Sequence, residues 1–234
     1  MTDAAGDALF RPVRSGNAFE DTVSRLLQTI RLGIVEPGSA LPSERDLAAR
    51  FSVSRDTVRD ALRELSRAGY VVAKRGRYGG TFVCDVLPAP QPAAALTADE
   101  IDDVLGLREV LEVGAVRSAA RRALSATDRE ALWSRLREVA AAGPEDYRRL
   151  DSRLHLAFAE VSGTPSLVGL VADCRSRTND LLDSIPLLPP NITHSNLQHE
   201  AIVDAILRGD EEAAAEAMGE HLAGSAALLR GFLA

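Results

Sequence analysis

The sequence predicts a mainly α chain in two parts: a small N-terminal module of helices closed by a β-hairpin, then an all-α antiparallel helical bundle. Three observations carry that expectation. Residues 41 to 83, LPSERDLAARFSVSRDTVRDALRELSRAGYVVAKRGRYGGTFV, hold two capped amphipathic segments, a tight connection and two short apolar runs around a basic, glycine-bearing turn. Residues 87 to 96, LPAPQPAAAL, have the composition of a semi-rigid spacer. The charge divides at the same place: 13 Lys or Arg against 9 Asp or Glu from residue 11 to 85, and 14 against 23 from residue 86 on, within a formal net charge of -7. A basic module on an acidic partner places a polyanion at the first part and keeps the second away from it. The expected boundaries are a flexible N-terminus over 1–17, a first domain over 18–86, the Pro/Ala spacer over 87–96 and the helical domain over 97–234.

Each element has a local cause. Pro42-Ser43 is a helix start: the Ser43 hydroxyl can accept from the next turn's amides, and Asp46 stands where a capping-box carboxylate reaches back. Leu47, Ala48 and Phe51 give that helix its apolar face. Ser54 caps the next helix, whose Val58, Ala61, Leu62 and Leu65 recur at three- and four-residue steps. Only Phe51 to Val53 separates the two, which forces the sharp angle of a helix-turn-helix. On the second helix Arg55, Arg59 and Arg63 recur every four residues and drift only about 40° per step, so they form a basic stripe. Such a stripe also suits a solvated face with helix ion pairs, and the flanking segments decide for DNA.

Those segments are the hairpin. Gly69 ends the helix, Tyr70 to Val72 start a strand, Lys74 to Gly80 form a basic turn with three glycines, and Thr81 to Val83 return. Glycine lets such a wing approach a phosphate closely while the cations supply charge. Together the elements make a winged helix-turn-helix.

The run LPSERDLAARFSVSRDTVRDALRELSRAGYV followed by RGRYGGTFV resembles the DNA-binding domain of the GntR family of bacterial transcriptional regulators, and IRLGIVEPGSALP upstream resembles that family's first helix and turn. The resemblance implies that Arg45, Ser54, Arg55, Thr57, Arg59, Arg75 and Gly76 occupy DNA-contact positions. Asp56 departs from the small or uncharged residue often found there; a carboxylate can accept from a cytosine amine but repels phosphate, so it bears on sequence preference.

Beyond the spacer the pattern is helical. Thr97 with Glu100 and Thr127 with Glu130 read as capping boxes. Breaks at Gly143-Pro144, Gly163-Thr164-Pro165, Ser184 to Asn191 and Gly209-Asp210 divide the rest into six helices, hence an antiparallel bundle. Histidines are few. Asp151 and His155 lie one turn apart on one helix, His199 opens the run HEAIVDAIL, and His221 sits late in the last helix. Converging in a bundle, these four would suit a divalent ion such as Zn, Ni or Mn; spacing alone equally allows ordinary polar pairs. His194, five residues before His199, points about 140° away from it if both are helical, so it is expected outside the set.

Residues 99 to 229 are similar to the effector-binding FCD domain found in the FadR branch of the GntR family, and HEAIVDAILRGDEEAAAEAMGEHL matches its closing helix pair. The resemblance implies that Asp151, His155, His199 and His221 are metal ligands. Thr164 departs from the usual Asn after Gly163. Arg108 falls at an FCD arginine position, where its guanidinium can aim at an effector carboxylate; it can equally pair with Glu112 on the surface. Asn179, Arg175 and Arg177 are further pocket candidates.

The implied protein is a dimeric DNA-binding regulator, a repressor, reading an inverted-repeat operator in double-stranded DNA and responding to a small carboxylate at a metal-containing pocket. Rival readings are a metal-ion sensor, a structural metal and a metal-dependent hydrolase. The helix-turn-helix and the lack of a His-Glu-x-x-His motif argue against an enzyme. An acidic N-terminus, no transmembrane-length apolar run and two cysteines in different domains predict a cytoplasmic protein with reduced thiols and no membrane partner.

Overall fold

The computed structural model describes residues 9–10, 18–76, 79–88 and 97–233. The chain divides into two compact units, Met1–Ala89 and Pro90–Ala234, and that division falls inside the Pro/Ala spacer, most of which lies outside the described residues. Most of the N-terminal stretch expected to be flexible also lies outside them. Phe10, within it, is buried instead: its ring centroid is 5.6 Å from that of Phe51 and the Arg50 guanidinium stands 5.5 Å over it.

The first unit holds α1 (Ala18–Arg31), α2 (Glu44–Phe51), α3 (Arg55–Arg67), β1 (Val71–Lys74) and β2 (Gly80–Val83). Ser43 caps α2 by accepting from the Asp46 amide at 3.2 Å, and its hydroxyl donates to the Asp46 carboxylate at 2.7 Å. Asp46 thus meets the cap's side chain, where a full capping box would have it reach the cap's backbone amide. Ser54 caps α3 in the same way through the Thr57 amide at 3.0 Å. The turn between them is made by Ser52, a non-glycine residue at φ 55° whose amide bonds back to α2. A left-handed L-residue costs about 1–2 kcal/mol, and it is held because Phe51 on one side and Val58 on the other are fully buried with Leu26, Ile30, Leu47, Leu65, Val71 and Val83. The strands pair antiparallel from Val71↔Val83 to Lys74↔Gly80. Their turn needs glycine twice: Gly76 sits at φ 112°, and a Cβ on Gly79 would lie 2.6 Å from the Lys74 carbonyl oxygen. Arg77 and Tyr78, at the tip, lie outside the described residues.

The second unit is the expected set of six helices: α4 (Ala98–Arg121), α5 (Ala126–Ala140), α6 (Tyr147–Val161), α7 (Pro165–Leu182), α8 (Pro189–Arg208) and α9 (Glu211–Leu233). The Thr97/Glu100 capping box closes α4 as read. At α5 the box is Ser125 with Asp128, and Thr127 is already inside the helix, where Glu130 accepts from Arg137 at 2.9 Å. Two adjacent boxes were available in the sequence, and the earlier one brings Leu132, Leu136 and Val139 onto the core. Gly209, at φ 75°, ends α8, and Asp210 accepts from the Ala213 amide at the start of α9. That tight turn sets α8 and α9 side by side, with His199 and His221 nearly equidistant from it.

Phe51→Ala is expected to cost about 3–5 kcal/mol of unfolding free energy, as truncation of a fully buried ring usually does. Urea denaturation followed by circular dichroism measures it, and a loss under about 1 kcal/mol would mean that the turn is not anchored by this residue.

Candidate metal centre and nucleic-acid interface

The face that the sequence assigns to DNA is exposed. Arg45, Ser54, Arg55, Arg59, Arg75 and Gly76 are solvent-accessible, and Thr57 is half-buried with its hydroxyl 2.8 Å from that of Ser54. The arginine stripe is not bare. Arg59 pairs with Asp56 at 2.9 Å and with Glu44 at 3.3 Å, and Arg63 pairs with Asp60 at 2.8 Å. Exposed pairs of this kind are worth about 0–1 kcal/mol, so the guanidiniums can trade these carboxylates for phosphates at little cost. Asp56 therefore has a local partner that sets the Arg59 rotamer.

The second site is deeply buried. Asp151 and His155 project from one face of α6, His199 comes from α8 and His221 from α9; their ligand atoms lie within 4.8 Å of one another, and all four residues are buried. The imidazole centroids are 4.6 to 5.5 Å apart. Donors that each hold an ion at about 2.0–2.2 Å are separated by at most about 4.4 Å, so side-chain adjustments of a few tenths of an ångström close the set. The hydrogen bonding fits an ion too. Nε2 of His155 and Nδ1 of His199 are buried without a hydrogen-bond partner, and His199 Nε2 has only the Asp151 carboxylate at 3.3 Å, an arrangement that costs free energy unless something else occupies those lone pairs. His194 is exposed on α8, outside the set.

A layer of charge surrounds the four. His155 Nδ1 contacts the Glu112 carboxylate of α4, and His221 Nδ1 lies 3.2 Å from the Gln198 side-chain oxygen. Protons on these Nδ1 atoms turn both Nε2 lone pairs inward, as in carboxylate–histidine–metal triads. Glu112 also accepts from Arg108 Nε at 3.0 Å, and Arg175 of α7 binds Asp151 and lies 3.9 Å from Glu112. Burial by itself would raise both carboxyls. The His155, Arg108 and Arg175 groups outweigh it at Glu112, and Arg175, His155 and His199 outweigh it at Asp151, so each is held below the usual carboxylate range. Burial lowers His155, partly opposed by Glu112, and burial with the neighbouring His199 and His155 holds His221 well below its ordinary value. Both shifts run toward the neutral imidazole that a metal ligand must be.

A cavity of about 80 Å³ opens beside this cluster, with Arg108, Asp151, His221, Ser195, Ser225 and Tyr147 at its polar end and Ile185, Leu187, Ile192 and Leu228 among its apolar walls. At about 10–15 Å³ per water, it has room for a small organic acid. Arg108 lines it, with Nη1 donating to Ser225 at 2.7 Å. The Arg108–Glu112 pair expected on the surface exists but is buried, both side chains being 2% exposed. Asn179 does not line the cavity; it is buried behind Asp151 and donates to Ser152 at 2.9 Å. Arg177 is exposed and pairs with Asp103 at 3.2 Å, away from the site, and Thr164 is exposed at the start of α7. The role of Glu112 escaped the sequence reading, although a signal was there: Arg108 and Glu112 fall in the same helical stripe as Ile101, Val104, Leu105, Ala115 and Val116, all buried. Charges inside an apolar stripe are buried charges.

A winged helix-turn-helix joined to a helical unit with a cavity beside a buried cluster of charged groups defines a DNA-binding regulator. Residues 19–83 match the family model described as bacterial regulatory proteins, gntR family, and residues 103–224 match the FCD domain. The chain is 32% identical over 224 residues to the "Putative L-lactate dehydrogenase operon regulatory protein" of Escherichia coli strain K12, covering 90% of this chain and 84% of that one. It is 31% identical over 213 residues to the "HTH-type transcriptional regulator LutR" of Bacillus subtilis strain 168, covering 87% and 97%, and 30% identical over 234 residues to the "HTH-type transcriptional repressor NanR" of Cronobacter sakazakii, covering 94% and 89%. Among solved structures, E. coli McbR/YncC shares the fold with a TM-score of 0.58 at 19% identity, covering 92% of this chain and 97% of that chain. The chain belongs to the GntR family of bacterial transcriptional regulators and carries an FCD domain; its relatives are named as regulators, not as enzymes. No helix among the described residues is long and apolar enough to cross a membrane.

The lowered histidines give a pH dependence of definite sign. Below the ordinary value of 6.5, the unfolded chain takes up protons at His155 and His221 that the folded chain refuses, so stability is lost as pH falls. Asp151 and Glu112, lowered instead, keep their stabilising contribution throughout that window. The metal-free protein is therefore expected to melt at lower temperature at about pH 5.5 than at about pH 7.5, and His221→Asn is expected to flatten the trend. Equal slopes for the two proteins in a thermal-melt series would clear His221 of responsibility.

Proposed function

We propose that the chain is a homodimeric, metal-containing repressor whose affinity for an inverted-repeat operator is set by a small carboxylate bound in the FCD cavity. The observation that carries this reading is the charge balance of the buried site. Asp151 and Glu112 are matched by Arg108 and Arg175, and three imidazoles stand around them. A divalent ion held by Asp151, His155, His199 and His221 would add two positive charges to a compensated, low-dielectric site and supply a Lewis-acidic centre there. An anion entering through the adjoining cavity restores the balance, and Arg108 lies at the wall to receive its second oxygen. The E. coli relative is named for an L-lactate dehydrogenase operon, which agrees with a small hydroxy acid as the first compound class to try.

In the DNA-binding half, α3 enters the major groove with Arg55 and Arg59 toward it, while Arg75 and Gly76 lie along the neighbouring backbone. The effector changes operator affinity by as much as it prefers one arrangement of the helical unit, typically about 1–3 kcal/mol.

Arg55→Ala and Arg59→Ala are each expected to weaken operator binding by about 1–3 kcal/mol with metal content and melting temperature unchanged; unaltered affinity in an electrophoretic or anisotropy titration would remove the recognition-helix assignment. His199→Ala combined with His221→Ala is expected to abolish metal binding by elemental analysis. It should also abolish the thermal shift given by small hydroxy acids, while the metal-loaded wild type retains that shift and releases DNA. A shift from metal alone, with none from any acid, would favour the ion-sensor reading instead.

A further inference from the structure

We infer that the effector is a monocarboxylic acid with an alkyl tail longer than a methyl group, its acid end at Arg108 and its tail against the connection between α7 and α8. This deepens the small-carboxylate reading above and rests on it. The cavity has one charged end, at Arg108, Asp151 and His221, while Leu182, residues 185 to 188, Ile192 and Leu228 line much of the rest. Its volume of about 80 Å³ corresponds to about five to eight water-sized groups. A carboxyl and an α-carbon with its hydroxyl take about three of these, so roughly two to five remain for carbon.

The tail wall carries a second observation. Before Pro189 opens α8, the connection reads Ile185-Pro186-Leu187-Leu188. Connecting segments run over the surface and are usually polar, yet here four successive apolar residues line the cavity. The chain's own core covers only part of them: Ile185 is buried and Leu187 half-buried, but Pro186 is exposed and Leu188 is 37% accessible. An alkyl tail is the chemistry that takes more of this surface out of water. The wall is also preformed. Pro186 fixes one φ within it, Pro189 and Pro190 fix the two that follow, and Arg148 of α6 donates to the Ile185 carbonyl at 3.1 Å while pairing with Asp183 at 3.2 Å.

Arg148 lines the cavity too, and a guanidinium there could receive the second carboxylate of a diacid. Its existing partners oppose that. The far end of a diacid would have to share Arg148 with Asp183 or displace it, and two carboxylates on one guanidinium in a largely buried place repel each other. At Arg108 the balance runs the other way. Its partner Glu112 is also held by His155 and Arg175, so an incoming carboxylate can take Arg108 while Glu112 keeps two partners. One anionic head and one uncharged tail is the ligand that these walls match.

The test is titration calorimetry of the metal-loaded full chain with lactate, 2-hydroxybutanoate and 2-hydroxypentanoate, and with malate as a diacid of the same carbon number as 2-hydroxybutanoate. Each added methylene is expected to tighten binding by about fourfold, so that 2-hydroxypentanoate binds about tenfold or more tighter than lactate, with a more negative heat-capacity change. Malate is expected to bind more weakly than 2-hydroxybutanoate. Leu187→Asp and, from α9, Leu228→Asn put a polar group on the tail wall at half-buried positions. Each is expected to weaken 2-hydroxypentanoate more than lactate, compressing the series, whereas a merely structural disturbance weakens every acid by the same factor. Affinity that is flat or falls with chain length, malate tighter than 2-hydroxybutanoate, or equal losses across the series in both variants overturns the alkyl tail while leaving the small-carboxylate reading in place. Binding of none of the four acids overturns both.

Discussion

The buried ion network of Glu112, Arg108, Arg175 and Asp151 is the interaction on which the helical unit depends. An unpaired charge in a protein interior costs several kcal/mol even after relaxation, and here two carboxylates and two guanidiniums are placed on three different helices, α4, α6 and α7. Turning any one of these helices by a single residue would rotate its charges by about 100° and strand them against apolar side chains. Apolar packing of Leu154, Phe158, Ile202 and Met218 makes the bundle cohere, but such packing tolerates sliding and repacking far better than charges do. The network therefore selects one rotation of α6 among those the apolar core would accept. That rotation points Asp151 and His155 toward α8 and α9.

The same network prepares the histidines. Glu112 holds a proton on His155 Nδ1 and Gln198 holds one on His221 Nδ1, leaving the Nε2 atoms as acceptors. With three imidazoles this close, burial alone would leave lone pairs facing one another, an arrangement with no internal remedy. Ser195, 3.4 Å from His221 Nδ1, cannot supply one, because it lies on the same side as Gln198. His199 shows this most plainly: its Nδ1 is buried without a hydrogen-bond partner and its Nε2 has only the Asp151 carboxylate, 3.3 Å away.

How much of this was legible in the sequence depended on whether the signal was local. The helix-turn-helix was legible because caps, a short connection and a glycine-rich turn are each properties of a few adjacent residues, and Ser43, Ser54 and Gly76 stand where those rules put them. The start of α5 was misread by two residues because Ser125/Asp128 and Thr127/Glu130 satisfy the same local rule, and only the burial of Leu132 and Val139 separates them. In the site, the four candidate ligands came from a family pattern spread over three helices. Gln198, which faces His221, carries no pattern of its own and looks like an ordinary helix residue until tertiary packing turns it inward, whereas Glu112 had one signal, its place in the buried stripe of α4. Arg177 and Arg175 make the point most directly. Two residues apart on α7, they face about 200° apart, so one is buried on Asp151 and the other pairs with Asp103 in solvent.

The position of α4 bears on how a signal leaves the site under the proposed reading. It is the first helix after the spacer, its inner face carries Arg108 and Glu112, and its outer face exposes Leu107 and Val110. A carboxylate drawn to Arg108 competes with Ser225 and Glu112 for the same guanidinium, so its arrival redistributes the contacts that set the rotation of α4. A hydrogen bond to a charged group contributes about 1.5–3 kcal/mol, comparable to the whole coupling free energy of a typical allosteric switch. One contact made in only one arrangement of α4 is therefore enough, and no long chain of intermediates is required between the cavity and the helix that leads to the DNA-binding unit. What such a mechanism does require is that α4 have two discrete settings. Its inner face offers them: Arg108 bound to Glu112 and Ser225, as seen here, or Arg108 turned to the ligand while Glu112 remains held by His155 and Arg175.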